Sequence, residues 1–135
     1  MNHDSYSEDY IRDVLNKVRT IALVGASNNV VRPSYFVLKY LLAKGYKVIP
    51  VNPGLAGQEI LGQRVYASLK DIPEPVHMVD VFRNPEAALE ITKDAIAIGA
   101  KVVWMQLSVR NDEAAKLAEA AGLEVVMDRC PKIEY

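Results

Sequence analysis

The feature that most constrains the fold is a repeated pattern in which an unbroken apolar run ends at a turn residue. The first example is "TIALVGA", residues 20–26, which is β-branched and aliphatic and stops at Gly25. A strand that is buried on both faces has this pattern, whereas a strand with one wet face alternates apolar and polar residues. Comparable runs follow in "YKVIPVNP", "VHMVDVF", "KVVWMQL" and "EVVMD". The sequence therefore predicts five strands of the kind found in parallel sheets.

Helical patterns lie between most of these runs. The spacing of apolar residues and the flanking turn residues predict helices over 33–44, 84–98 and 111–121. Ser5 and Glu8 stand at capping-box spacing and predict a further helix before the first strand. Strands that alternate with helices in this order require right-handed crossovers. The predicted fold is α/β, a doubly wound open parallel sheet of about five strands with helices on both faces, Rossmann-like.

Two segments depart from this regular pattern. The segment 54–70 is a long connection with one short extended piece, "EILG", and loops of that length usually carry function or cover something. Pro50 lies inside the second strand, where its missing N–H predicts a sheet edge or the point at which pairing stops.

Composition narrows the class of protein. The chain has 135 residues, half of them hydrophobic, which predicts a single domain over 1–135. A net charge of −1 gives no long-range attraction for nucleic acid. No apolar stretch reaches the roughly 20 residues that cross a bilayer. Cys130 is the only cysteine and the N-terminus lacks a signal pattern, so we expect a cytoplasmic protein without nucleic-acid or membrane partners.

The turn after the first strand is the predicted ligand site. In doubly wound sheets the first strand-to-helix turn lies beside the phosphates of the ligand. Gly25 allows close backbone approach, Ser27 offers a hydroxyl, and Arg32 offers a permanent charge with forked donors. The amides of residues 34–36 are expected to be unpaired donors at the positive end of the helix. A diphosphate is the predicted ligand; the alternative is an ordinary tight turn with a solvated arginine.

Missing residues bear on which diphosphate is bound. A dinucleotide fingerprint reads G-x-G-x-x-G with an acid about 20 residues later. Here Ser27 and Val30 replace two of the glycines, and the second strand ends in Val51, Asn52 and Pro53 without a carboxylate. The phosphate-binding pattern G-x-x-x-x-G-K-[ST] is also absent. A neutral Asn52 would tolerate a ribose that carries a phosphate.

Several motifs together resemble one family. They are "GAS" with "RPSY", "GYKVIPVNP", "VDVFR", "GAKVVWMQL" and "AAGLEVVMDRC", which cover nearly the whole chain. The sequence resembles the small bacterial CoA-binding proteins, single Rossmann-like domains similar to the CoA-binding domain of the succinyl-CoA synthetase alpha subunit. Ser108 departs from the family pattern, in which "QLGV" would have glycine.

The resemblance implies that coenzyme A, or an acyl-CoA, lies across the strand ends. The residues it implies for the diphosphate are Gly25, Ala26, Ser27, Arg32 and Ser34, with Pro33 between the last two. Those it implies beside the nucleotide are Val51, Asn52, Pro53, Phe82 and Arg83, and those towards the pantetheine arm are Trp104 and Gln106.

The candidate residues in the second half of the chain, and Asp80 and Cys130, each also have a purely structural interpretation. Arg83 suits the extra phosphate of CoA, or else forms a surface ion pair. Trp104 is either a ligand wall or core, and Gln106 either reads a pantetheine carbonyl or caps a loop. Asp80 lies in an apolar strand, where a structural hydrogen bond is expected. Cys130 either forms a mixed disulfide with the CoA thiol or is a buried, unreactive cysteine.

The predicted function is non-catalytic binding of CoA or an acyl-CoA, as a sensor or carrier. No catalytic residues are predicted, because the related ligase needs a phosphorylated histidine from another domain and this chain offers none. The alternatives are an NAD(P)-dependent oxidoreductase, and an interaction module that regulates a partner enzyme. A homodimer is a further partner that the sequence leaves open.

Overall fold

The computed structural model describes residues 6–106 and 109–129 of the chain. Its helices are α1 (Glu8–Lys17), α2 (Pro33–Ala43), α3 (Pro85–Ala97) and α4 (Asp112–Ala120). Its strands are β1 (Thr20–Val24), β2 (Lys47–Val51), β3 (Glu59–Ile60), β4 (Gln63–Arg64), β5 (Met78–Val81), β6 (Val102–Met105) and β7 (Glu124–Val126). Short 3₁₀ turns cover Pro53–Leu55 and Leu69–Asp71.

Five of the strands form one sheet in the order β2-β1-β5-β6-β7, and every pair in it is parallel. The chain runs outward from β1 to β2, returns to β5 on the other side of β1, and then continues to the opposite edge. The strand order therefore reverses between β1 and β5. In sheets of this kind, the crevice above that point is where ligands bind. The predicted α/β fold is confirmed.

Helices cover both faces of the sheet and build two apolar layers. On one face α1 and α2 pack over alternate residues of the strands, including Leu23, Met78 and Trp104. On the other face α3 and α4 pack through small residues, among them Ala88 and Ala114. Burial on both faces explains why the strands are almost continuously apolar in sequence. Within the described residues, no helix has the length and apolar character that crossing a membrane requires.

The long connection after β2 covers one edge of the sheet. It forms the antiparallel hairpin of β3 and β4, and its next residues run beside β2. The amide of Tyr66 donates to the carbonyl of Pro50 at 3.1 Å, and the amide of Asn52 donates to the carbonyl of Tyr66 at 2.9 Å. Pro50 thus lies on an edge strand, as predicted. Pairing does not stop there, however, because Val51 continues the register with Val24.

The N-terminal residues cover the other edge. Tyr10 donates its hydroxyl to the carbonyl of Val125 at 2.8 Å, and the hydroxyl of Tyr6 accepts from the amide of Met127 at 2.8 Å. The two tyrosine rings stack with centroids 5.7 Å apart. Helix α1 is capped by Ser7, whose hydroxyl accepts from the amide of Tyr10 at 3.1 Å. The prediction that Ser5 caps this helix is therefore wrong. Ser5 itself lies outside the described residues.

Candidate functional site

A cleft of about 320 Å³ opens at the carboxyl ends of β1 and β5, where the strand order reverses. Its walls are the turn after β1, the first turn of α2, the end of β2 and the end of β5. The lining residues are Gly25, Ala26, Ser27, Arg32, Pro33, Ser34, Asn52, Phe82 and Arg83. All nine are among the predicted site residues, so the structure brings most of the predicted site together in one place.

Gly25 forms the part of this cleft where two backbone segments come closest. Its φ is +94°, and a Cβ at this position would lie 2.3 Å from the carbonyl oxygen of Phe82. Any other residue would clash with backbone that cannot move away cheaply. The turn is fixed from the other side by the carbonyl of Val51, which accepts from the amides of Gly25 and Ala26 at 3.0 and 3.3 Å. Gly25 therefore lets the ends of β1, β2 and β5 meet.

The first turn of α2 differs from those of the other three helices. Ser7, Asn84 and Asn111 each cap their helix with a side-chain oxygen, whereas the N-cap of α2 is Arg32, which makes no such bond. The predicted set of three free amides is wrong in part. The amides of Tyr35 and Phe36 both donate to the carbonyl of Arg32, at 3.0 and 3.4 Å.

Free amide donors are nevertheless present at this turn. Of the amides in residues 26–34, those of Ser27, Asn28, Val30 and Ser34 have no acceptor among the described residues. The loop is shaped by two side chains. The hydroxyl of Ser27 accepts from the amide of Asn29 at 3.0 Å, and the side-chain oxygen of Asn29 accepts from the amide of Val31 at 3.1 Å. Asn29 was not predicted; the "SNN" run, typical of side-chain-stabilised turns, was the available signal.

Ser34 adds a hydroxyl to this set. The residue is 5% exposed and lines the cleft, and its hydroxyl has no hydrogen-bond partner in the described part of the chain. A hydroxyl that is mostly buried normally finds a partner within the protein. One that opens only into a cleft is placed to bond whatever occupies the cleft.

Two guanidinium groups supply positive charge. Arg32 and Arg83 both line the cleft, and neither side chain has an ion pair or hydrogen bond with any residue that the structure describes. The Cδ atom of Arg83 lies 3.2 Å from the position of a Cβ on residue 25, so its stem runs over the glycine. The surface ion pair considered for Arg83 is therefore not seen. None of the lining residues that the structure describes carries a carboxylate, so the two guanidinium groups make this part of the cleft electropositive.

Asn52 holds the cleft together rather than presenting an amide to it. Its Nδ2 donates to the carbonyl of Ala26 at 2.7 Å, and its Oδ1 accepts from the amide of Gly54 at 2.8 Å. The residue thus joins the turn after β1 to the 3₁₀ turn after β2. An aspartate here would lose the donor to Ala26.

The remaining predicted residues lie outside the cleft lining. Val51 is buried in the sheet, and Pro53 is exposed in its 3₁₀ turn. Trp104 is fully buried and its Nε1 donates to the carbonyl of Arg129 at 2.9 Å, so the structure assigns it to the core. Gln106 is 4% exposed, and its Nε2 donates to Asp80 Oδ1 at 2.5 Å. The donor of Gln106 is therefore not available to a pantetheine carbonyl in this arrangement.

Asp80 has the structural hydrogen bond that its position in an apolar strand predicted. It is fully buried, and its second oxygen, Oδ2, has no partner within residues 6–106 and 109–129. Burial raises the pKa of Asp80 to about 8, and the bond from Gln106 offsets only part of that rise.

Two positions raised by the sequence, Cys130 and Ser108, lie outside the described residues. In the described part of the chain, no group of three or more His, Cys, Asp or Glu side chains has the arrangement of a metal site.

Comparison with known proteins identifies a family and several similar chains. A family model described as "CoA binding domain" matches residues 19–135. The uncharacterized protein YneT of Bacillus subtilis is 35% identical over 129 residues, which are 96% of this chain and 94% of that protein. A hypothetical protein from Pyrococcus horikoshii has a solved structure that is 43% identical and superimposes with a TM-score of 0.92, covering 99% of this chain and 93% of its own.

A third relative is much longer than this chain. The ADP-forming acetate–CoA ligase II of Archaeoglobus fulgidus is 29% identical over 103 residues, which are 75% of this chain and 15% of the ligase. The shared region is therefore one small part of that enzyme.

Proposed function

The chain belongs to the family of CoA-binding domains, and from that premise we propose that it binds coenzyme A or an acyl-CoA without turning it over. The observation that carries the proposal is the set of unsatisfied donors on residues that line one cleft: two guanidinium groups, the Ser34 hydroxyl and the amides of Ser27 and Ser34. These donors converge where the strand order reverses. Such a set is matched to the oxygens of a diphosphate.

The two arginines are proposed to read different phosphates. Arg32 stands at the N-terminus of α2, next to the free amide of Ser34, and is assigned to the diphosphate. Arg83 follows β5 on the far side of Gly25 and is assigned to the phosphate on the ribose of CoA. Asn52, which is neutral and committed to the backbone, leaves room for that phosphate without repelling it.

The composition of the cleft supports the proposal of binding without turnover. Among the described residues that line it there is no histidine, cysteine or carboxylate, and the Ser27 hydroxyl accepts from a neighbouring amide rather than donating to a base. A nucleophile without a base within reach is not activated. We place the chain in the cytoplasm as a CoA sensor or carrier.

Calorimetric titration with CoA, 3′-dephospho-CoA, NADH and NADPH tests the proposal. CoA is expected to saturate one site at micromolar concentration or below, and the nicotinamide nucleotides are expected to give no saturable heat. Arg83→Ala is expected to weaken CoA binding by about tenfold, which corresponds to about 1.4 kcal/mol. The same variant should bind 3′-dephospho-CoA as well as the unmodified protein does.

Arg12→Ala is the matched control, because Arg12 is an exposed arginine on α1 whose ion pair with Asp9 lies away from the cleft. It should leave both affinities unchanged. Absence of heat with CoA at high protein concentration would refute the proposed function. Equal losses by Arg83→Ala for both ligands would keep CoA binding and refute the assignment of the ribose phosphate.

A further inference from the structure

One buried acid lies a single residue layer below the cleft. Asp80 occupies the third position of β5, and Phe82, two residues later on the same face, lines the cleft. In the sheet register Asp80 lies between Leu23 of β1 and Trp104 of β6. The acid is thus enclosed by strands on both sides and by helices above it.

Within residues 6–106 and 109–129, no cationic side chain pairs with this carboxyl. On its face of the sheet, α1 and α2 present apolar side chains such as Val14 and Leu38, which are fully buried. The charged residues of those helices, Glu8, Asp9, Arg12, Asp13, Lys17 and Lys39, are exposed. The neighbouring strand positions are apolar or aromatic, and Arg32 and Arg83 of the cleft are exposed as well. Arg129, whose carbonyl bonds the indole of Trp104, has its guanidinium over the ring of Tyr6. The side-chain amide of Gln106 is the one polar partner of Asp80 in the described part of the chain.

This environment favours the protonated acid. An ionised Asp80 would leave a full charge buried with one neutral donor, whereas the neutral acid leaves only one O–H group without an acceptor. An uncompensated buried charge costs far more than an unpaired hydroxyl, and such groups usually take up a proton instead.

We propose that Asp80 is a neutral acid that holds Gln106 in place, and that the pair acts as a proton-dependent latch between the ends of β5 and β6. Asp80 is then a positioning residue. Gln106 is the first residue after β6, and its backbone amide donates to the carbonyl of Val81 at 3.2 Å. The amide of Phe82, the first residue after β5, donates to the carbonyl of Val24 at 2.8 Å. The latch therefore adjoins the backbone that carries Phe82 and Arg83.

The sign of the pH dependence follows from the direction of the shift. Burial raises the pKa of Asp80 to about 8, above the ordinary value of 3.8 that it regains on unfolding. Between these values the folded chain keeps a proton that the unfolded chain releases. The contribution of Asp80 to stability is therefore greatest below about pH 4 and is lost as pH rises towards about 8. In this window the folding equilibrium constant falls about tenfold per pH unit.

Urea unfolding of the full chain and of Asp80→Asn at pH 5, 6 and 7 tests the latch. Asparagine has the same shape and no proton to release. The ratio of the folding constants, variant over unmodified protein, is expected to rise about a hundredfold from pH 5 to pH 7. Asp9→Asn, at an exposed carboxylate, is the control and should give a flat ratio. A flat ratio for Asp80→Asn would overturn the proposal.

A direct readout does not depend on whether the variant folds well. In carbon-detected NMR of the unmodified protein, one aspartate carboxyl, that of Asp80, should titrate near pH 8. Titration of every aspartate below pH 5 would overturn the proposal.

The coupling between protonation of Asp80 and ligand binding in the cleft rests on the proposed function. It has a test of its own. CoA affinity of the unmodified protein should fall at least threefold between pH 7 and pH 9, while that of Asp80→Asn falls less. Equal falls would overturn the coupling to the cleft. If CoA did not bind at any pH, the proposed function would fail, whereas the unfolding and NMR measurements would still decide the latch.

Discussion

Two cavities lie at opposite ends of the sheet, and both are lined by basic residues. The cleft at the carboxyl end has a volume of about 320 Å³, and the cavity at the amino end has about 420 Å³. The second is bounded by the C-termini of α1 and α2 and includes Arg19, Lys44 and Tyr46. Size alone would favour the second cavity as the binding site.

The hydrogen bonds instead favour the smaller cleft, at the carboxyl end of the sheet, as the binding site. At the amino end, Arg19 donates to the carbonyls of Asn16 and Val18 at 3.0 and 3.1 Å, and Tyr46 donates to the carbonyl of Leu15 at 2.5 Å. These polar groups complete the end of α1. At the carboxyl end, Arg32, Arg83 and Ser34 have no partner among the described residues. Unsatisfied donors, rather than volume, distinguish a cavity that awaits a ligand from one that the protein has filled with its own interactions.

The largest effect is expected from a pair of glycine substitutions, one in each cavity. Gly25 and Gly45 both have positive φ, +94° and +96°, but only Gly25 would place a new Cβ against another backbone segment. Gly45→Ala should cost about 1–2 kcal/mol of unfolding free energy, from backbone strain alone. Gly25→Ala should cost about twice as much and also abolish CoA binding, as measured by urea unfolding and calorimetry. Equal costs would contradict the close approach of β1 and β5.

An arginine pair should separate binding from stability. Arg32→Ala is expected to weaken CoA binding by about 1.5–3 kcal/mol, the range for hydrogen bonds to charged groups, and to leave unfolding unchanged. Arg19→Ala is expected to do the reverse, with a loss of about 0.3–1 kcal/mol of stability at the end of α1 and unchanged affinity. If Arg19→Ala weakened CoA binding more than Arg32→Ala, the two cavities would have been assigned the wrong way round.

The smallest effects come from single hydroxyl groups. Ser34→Ala should weaken CoA binding by about 0.5–1.5 kcal/mol without changing stability, since its hydroxyl has no protein partner to lose. Tyr46→Phe should lower stability by about 1–2 kcal/mol, because it leaves the carbonyl of Leu15 unpaired, and should not change affinity. Thermal unfolding with and without CoA measures both. A stability loss in Ser34→Ala would show that its hydroxyl has a structural role.

Local patterns predicted the sheet and the part of the cleft formed by Gly25, Ser27 and Arg32. The resemblance to CoA-binding proteins supplied Ala26, Phe82 and Arg83. The unbroken apolar run that ends at Gly25 indicates a buried strand, and Gly99 marks the end of a helix. Parallel strands bring their carboxyl ends to one edge of the sheet. The hydrogen-bond partners of individual polar atoms were harder to predict. The amides of Tyr35 and Phe36 turn back to Arg32, and the donor of Gln106 is committed to Asp80.

Those outcomes depend on tertiary geometry. Whether Trp104 faced a ligand or the core depended on Arg129, 25 residues away in sequence, whose carbonyl accepts from the indole. The cap at Ser7 rather than Ser5 was within reach of local reasoning, because both residues suit that position. The choice between them was fixed by where Tyr6 and Tyr10 meet β7.

Tyr6 and Tyr10 occupy backbone groups at the β7 edge of the sheet, and the backbone of Tyr66 does so at the β2 edge. This occupancy affects how copies of the chain can pair. At β7 the outward carbonyl of Val125 and amide of Met127 are already bonded, and at β2 the carbonyl of Pro50 is bonded as well. A strand of a neighbouring molecule would find few free backbone groups to pair with at either edge of the sheet. Among the described residues, pairing of strands between copies of this chain is therefore disfavoured at these two edges.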